Sequence, residues 1–168
     1  MVAALQPAIF PMTLCDLYAC WALDQRCFED GEAYDLSTIR MLLSSSDSVS
    51  YKVVDHVGEM KGFLLGLVDR TPTYGAPVGG HIVAVGVAPE ARCQGYGRWL
   101  IQQAELGFAF VGAHLVYLEV RVSNQTAYRL YSTLGYTVAE TKPRYYANGE
   151  DGLKMIKLIQ PAFVEPRD

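Results

Sequence analysis

With 168 residues, 51% of them hydrophobic and 19% charged, the chain has the size and composition of one folded domain and excludes a disordered one. A formal net charge of −4 excludes the basic surface of a nucleic-acid binder and suits a cationic acceptor. Cys15, Cys20, Cys27 and Cys93 form no CxxC pair, no apolar run reaches membrane-spanning length, and no cationic segment precedes the first apolar residues. The expectation is a soluble cytoplasmic protein with reduced thiols, no metal site and no membrane partner.

Leu14, Leu17, Tyr18 and Trp21 fall at helical spacing, which predicts a first helix over 13–27 with Thr13 as its N-cap. Cys27 to Tyr34 reads as a loop, and Ser37 is the expected cap of a short helix through Leu43. SVSYKVVD (48–55) and KGFLLGLVD (61–69) read as strands of one hairpin, followed by the turn-rich TPTYGAPVGG (71–80). HIVAVGV (81–87) is apolar without alternation, as in a central strand. A helix to about Val111 and the strand LVYLEVRV (115–122) follow. Ala127, Leu130, Tyr131 and Leu134 share one face of a helix that Asn124 can begin and Gly135 can end. YTVAETKPRYY and GLKMIKLI read as two closing strands with Asn148-Gly149 in the turn. This order predicts a mixed α/β single domain over residues 1–168.

APEARCQGYGRWL (88–100) leaves the central strand through two glycines and turns at once into a helix. The first helical N–H groups have no intrahelical partner and the helix dipole adds positive charge, so such a turn can hold a phosphate. The N–H groups from Gln94 through Gly95, Tyr96, Gly97 and Arg98 would surround a pyrophosphate, with Arg92 and Arg98 adding charge. On the glycines alone, a tight turn with no ligand reads equally well. No Gly-Lys-Ser/Thr follows, and the third glycine of a dinucleotide fingerprint is missing.

Arg92, Gly95 and Gly97 resemble the acetyl-CoA loop, Arg/Gln-x-x-Gly-x-Gly/Ala, of the GNAT superfamily of N-acetyltransferases. LEVRVSNQTAYRLYSTLGY (118–136) resembles that superfamily's next region, above all in the branch of the ribosomal-protein-alanine and other N-terminal acetyltransferases. Arg144-Tyr145-Tyr146 and Glu150-Asp151 are similar to that branch's closing hairpin. The resemblance is close over 81–159. It implies the GNAT fold, a mixed, mostly antiparallel sheet splayed between two central strands and flanked by about four helices. It also implies acetyl-CoA as co-substrate and direct transfer to an amine in a ternary complex.

Glu119 lies mid-strand on the face opposite Leu118 and Val120, where apolar surroundings would raise its pKa. The resemblance makes it the general base; the alternative is a salt bridge to Arg121, which would lower the pKa instead. The resemblance assigns Tyr131 the proton for the departing thiolate and a hydrogen bond to the coenzyme sulfur, against the alternative of a packed core tyrosine. It places Asn124 near the pantetheine arm and gives that arm the backbone groups of Val85 and Val87, with Gly86 allowing close approach or a bulge. Cys93 is not where an acetyl group would sit, so no covalent acetyl-enzyme is expected.

An α-amine costs only about 1 kcal/mol to deprotonate at pH 7, and a lysine roughly 4.6 kcal/mol, so a lone carboxylate suits an N-terminal acceptor. The branch points the same way, toward a protein or peptide N-terminus, a ribosomal protein among the candidates. The resemblance makes Phe28, Tyr34, Tyr145 and Tyr146 the candidates for the branch's flanking aromatics, each with the alternative of a packed or solvent-edge side chain. The branch's aromatic-Pro-Trp stretch is replaced here by FEDGEAYD, whose Glu29, Asp30, Glu32 and Asp35 can attract a cation or simply be solvated. A small free amine as acceptor, or a non-catalytic acyl-CoA sensor, remain as alternative readings.

Overall fold

The computed structural model describes residues 8–28 and 31–162, and Glu29 and Asp30 lie outside the described residues. In chain order come β1 (Ala8–Pro11), a 3₁₀ turn (Leu14–Asp16) leading into α1 (Leu17–Cys27), α2 (Leu36–Ser44), β2 (Tyr51–Val54) and β3 (Met60–Asp69). β4 (Gly79–Val87), α3 (Tyr96–Phe110), β5 (Leu115–Arg121), α4 (Gln125–Thr133), β6 (Thr137–Lys142) and β7 (Gly152–Leu158) follow. The strands form one sheet in the order β1-β2-β3-β4-β5-β7-β6. The pair β4–β5 is parallel, whereas β1–β2, β2–β3, β5–β7 and β6–β7 are antiparallel. The mixed α/β architecture is as expected. Two compact units make it up: residues up to Leu67 with Ala84–Ala104, and Val68–Val83 with residues from Glu105 onward.

In the first unit, β1 is a strand the sequence does not announce. Its four residues show no alternation and end in proline, but Pro11 pairs with Tyr51 at the sheet edge, where a missing N–H costs little. Thr13 caps as expected, but it caps the 3₁₀ turn, in a reciprocal box with Asp16. The cap of α2 is Asp35, not Ser37: Asp35 Oδ1 accepts from the Thr38 N–H at 2.7 Å, and the Ser37 hydroxyl donates to the same oxygen. A carboxylate two residues earlier sits where the orphan amides point. Close approach at Gly86 also differs from expectation. A Cβ there would stand 2.6 Å from the Phe63 ring, so this glycine admits a packed side chain.

In the second unit, β5 alternates. Val116, Leu118 and Val120 are buried, while Tyr117, Glu119 and Arg121 point to the opposite, polar face. Gly80 accommodates the Phe108 ring, which a Cβ would meet at 2.3 Å. A β-bulge between Val138 and Glu140 in β6 puts Glu140 opposite Lys154 and Lys142 opposite Gly152. The closing strands are shorter than expected: β6 ends at Lys142, and residues 143–151 form a loop that holds Tyr145 and Tyr146.

Asp24 of α1 is fully buried and binds the α1–α2 loop: Oδ2 accepts from the Tyr34 N–H at 2.7 Å, while Oδ1 has no partner among the described residues. Burial raises its pKa to about 6, against the lowering effect of the Tyr34 bond. Between the unfolded value near 4 and about 6 the folded state therefore holds the extra proton, and stability falls as pH rises through that window. Asp24→Asn should remove up to about 3 kcal/mol of this pH dependence. Urea unfolding of both proteins from pH 4 to 7 measures it; parallel profiles would contradict the assignment.

Candidate active site

The strand-to-helix turn after β4 is built by left-handed backbone at Cys93 (φ 61°) and Gly95 (φ 86°). A β-carbon is tolerated poorly at such angles, so Cys93 is held there by its surroundings and Gly95 suits the position by type. The first α-helical bond runs from the Trp99 N–H to the Gly95 carbonyl at 3.0 Å. The amides of Tyr96, Gly97 and Arg98 therefore precede the helix ladder, directed out of its positive end. Gln94 and Arg92 are exposed on the same turn. Arg92 Nε donates to the Val87 carbonyl at 3.3 Å and the Cys27 thiol donates to it at 3.4 Å. Both lone pairs of that carbonyl are thus engaged by the chain itself, so the Val87 carbonyl is not the group that meets the arm expected along β4.

On the polar face of the second unit, Glu119 Oε2 lies 2.7 Å from His81 Nε2 and Oε1 lies 3.4 Å from Lys142 Nζ. The partners anticipated for Glu119 are corrected here. Arg121 instead bonds Glu150 Oε2 and Asn148 Oδ1, each at 3.0 Å, and lies over the Tyr146 ring at 3.9 Å. The Glu119 pKa moves in the direction that the ion-pair alternative gave, through other partners: burial pushes the carboxyl up, but the hydrogen bond and charge of His81 and the Lys142 ammonium outweigh it, and the net shift is downward. An ionised carboxylate only accepts, so His81 Nε2 carries the proton of this bond, which makes Nδ1 the nitrogen left to exchange a proton. The ring is fixed from its flat side as well, stacked on Tyr117 at 4.5 Å, while the Tyr117 hydroxyl donates to Asp69 Oδ2 at 2.8 Å.

Asn124 caps α4 through the Ala127 N–H at 3.1 Å, and Gly135 ends it with φ 95°, both as expected. Tyr131, on the buried side of α4, meets Tyr136 edge-on with centroids 6.0 Å apart. Burial pushes its hydroxyl up to about 12, so it is a donor at every pH of interest. Tyr145 is 47% exposed, with the Lys142 ammonium 4.7 Å from its ring and Tyr146 packed edge-on behind it at 5.1 Å. Glu150 and Asp151 anchor this loop: Glu150 Oε1 accepts from the Ser123 N–H and Asp151 Oδ1 from the Arg144 N–H, each at 2.8 Å. Phe28 and Tyr34 belong to the first unit, half-buried at the two ends of the α1–α2 loop.

The family model described as the acetyltransferase (GNAT) family matches residues 16–136. The chain belongs to the GNAT family of acetyltransferases. It is 34% identical over 126 residues to the N-alpha-acetyltransferase daf-31 of Caenorhabditis elegans, a span of 71% of this chain and 68% of that protein. Its fold matches the ribosomal-protein-S18-alanine N-acetyltransferase of Escherichia coli with a TM-score of 0.80 and 24% identity, over 96% of this chain and 99% of that one. Arabidopsis thaliana NAA60, solved in complex with acetyl-CoA, superposes with a TM-score of 0.79 at 19% identity, over 91% of this chain and 99% of that one.

For an acetyltransferase, the residue that sequence reasoning missed is His81. Its one signal is a lone imidazole heading an otherwise apolar strand, and nothing local says that the parallel register sets His81 opposite Tyr117, one pleat from Glu119. The geometry makes Glu119 the orienting, charge-balancing member of a carboxylate–imidazole pair, the arrangement that lets a histidine act as base. Lys142→Met should move the Glu119 titration upward, by removing one of the two groups that lower it. Carboxyl-carbon NMR across pH 2–7 reads that shift directly, and an unmoved Glu119 resonance would show that the Lys142 contact does not act on it.

Proposed function

We propose that this acetyltransferase moves the acetyl group of acetyl-CoA to the free α-amine of a polypeptide, by direct transfer in a ternary complex. What supports the acceptor is the state of Glu119, whose pKa is lowered by His81 and Lys142. A carboxylate that stays ionised in this way is a poor match for a lysine ammonium near 10.4 and a better one for an α-ammonium near 7.8. The name borne by the Caenorhabditis elegans relative agrees with that choice.

The amides of Tyr96, Gly97 and Arg98, with Gln94, Gly95 and the guanidinium groups of Arg92 and Arg98, hold the coenzyme's diphosphate. The backbone of Val85 and the Val87 N–H, with Asn124, line its arm. Phe28, Tyr34, Tyr145 and Tyr146 flank the acceptor peptide. His81 Nδ1, oriented by Glu119, takes a proton from the α-ammonium, and the freed nitrogen attacks the thioester carbon. As the C–S bond breaks, the Tyr131 hydroxyl donates a hydrogen bond to the departing sulfur. A phenol near 12 is too weak an acid to protonate a thiolate of about 8.5 outright, so the proton that ends on the thiol comes from the second amine proton. In this reading the enzyme works in the cytoplasm, with its cysteines reduced; an N-terminus of a ribosomal protein is one acceptor to try.

The decisive assay is coenzyme A release with two otherwise identical peptides, one with a free N-terminus and no lysine, the other N-terminally blocked with one internal lysine. Turnover with the first alone is expected. Turnover with neither, alongside tight acetyl-CoA binding, would move the activity to small free amines or to a sensor. Glu119→Gln and His81→Ala should each lower kcat/KM by roughly 10²-fold, and the double variant by little more than either single one, because the two act as a unit. Multiplying losses would mean independent roles.

A further inference from the structure

Around His81, the polar face of the second unit carries Asp69, Glu119, Glu140, Lys142 and Lys154, and all but one have a hydrogen-bonding or charged partner. Asp69 accepts from the Tyr117 hydroxyl and from the Thr71 N–H, each at 2.8 Å; Glu140 accepts from the Tyr74 hydroxyl at 3.2 Å; Glu119 and Lys142 meet each other. Lys154 is the exception. The register puts it directly opposite Glu119 on β5 and Glu140 on β6, within easy reach of both. Its ammonium nevertheless lies 4.3 Å from the Tyr117 ring centroid and 5.2 Å from that of Tyr74, and no ion pair joins it to a carboxylate of the described residues. Aromatic faces hold a cation without neutralising it.

We propose that Lys154 determines acceptor specificity, its ammonium receiving a carboxylate side chain within the first two residues of the acceptor. This rests on the N-terminal reading above. With the α-amine at the Glu119–His81 pair, an extended acceptor advances about 3.3 Å per residue. Lys154 sits one strand from Glu119, about 4.8 Å away at the backbone, and its ammonium lies 4.3 Å from the centre of the Tyr117 ring. The first or second side chain of the acceptor therefore meets it. The half-buried setting on Tyr117 and Tyr74 favours an anion that hydrogen-bonds the ammonium over one left to water.

The test uses free-N-terminus peptides identical except for Glu, Gln or Lys at position 1 or 2, with the full-length enzyme and its Lys154→Gln and Lys154→Glu variants. Wild type should prefer Glu to its isostere Gln by roughly tenfold in kcat/KM at one of the two positions, as a charge-assisted bond implies. The ratio should fall to about one in Lys154→Gln and turn in favour of Lys in Lys154→Glu. Because each variant is judged by a ratio of substrates, a general loss of activity does not imitate the result. A wild-type ratio near one, or a Glu preference that survives in Lys154→Gln, overturns the role of Lys154 while leaving N-terminal acetylation standing. No turnover of any of these peptides overturns the N-terminal reading and this inference with it.

Discussion

The parallel register between β4 and β5 is the constraint on which the chemistry depends. Gly79 faces Leu115 and Ile82 faces Leu118, so His81 falls opposite Tyr117 and the two rings stack. Period-2 alternation then brings Glu119 to the same face, one pleat on, within 2.7 Å of the imidazole. A slip of one residue would turn His81 into the apolar side and leave Glu119 buried against lysine alone. Core packing opposes that slip: Leu118, Val116 and Met155 are among the most deeply buried side chains, and the close fit of Gly80 to Phe108 fixes β4 from the other side.

Two opposed effects set the state of Glu119. Burial alone would turn it toward the neutral acid; the imidazole and the Lys142 ammonium turn it back, and they prevail. The consequence is a division of labour. Glu119 supplies a negative charge that holds the imidazole by its Nε2, and in the proposed mechanism the other nitrogen of His81 is the one that meets the amine. Tyr131 is buried, and that burial holds its hydroxyl protonated.

Legibility in the sequence followed range. The turn at Gly95, the Asn124 cap and the Gly135 stop are decided by neighbours within four or five residues, and the sequence pattern placed each of them correctly. β1 escaped because an edge strand of four residues needs no pattern of its own. Asp35 displaced Ser37 as cap through a shift of two positions, a local contest that composition leaves even. The partners of Glu119, His81 and Lys142, lie 38 and 23 residues from it, brought near only by strand register, so the sequence left the direction of its pKa open between burial and an ion pair. The roles of Glu150 and Asp151, legible only as a resemblance, acquire a physical cause in the anchoring of the tyrosine loop.

The bulge in β6 bears on how such a site diversifies. Up to Val138 the strand keeps one phase; past it, the extra residue turns Glu140 and Lys142 to the polar face. Removing a single residue there would invert the phase and withdraw both charges together, one from beside Tyr74 and the other from Glu119. Substitutions adjust such a surface one group at a time, whereas a change of length in this edge strand exchanges its whole charge pattern in one step. Because β6 ends the sheet and its residues are mostly exposed, the fold can absorb that change with little repacking. The edge of the sheet thus serves as a frame-shift for the chemistry of its face, open to variation where the core strands are not.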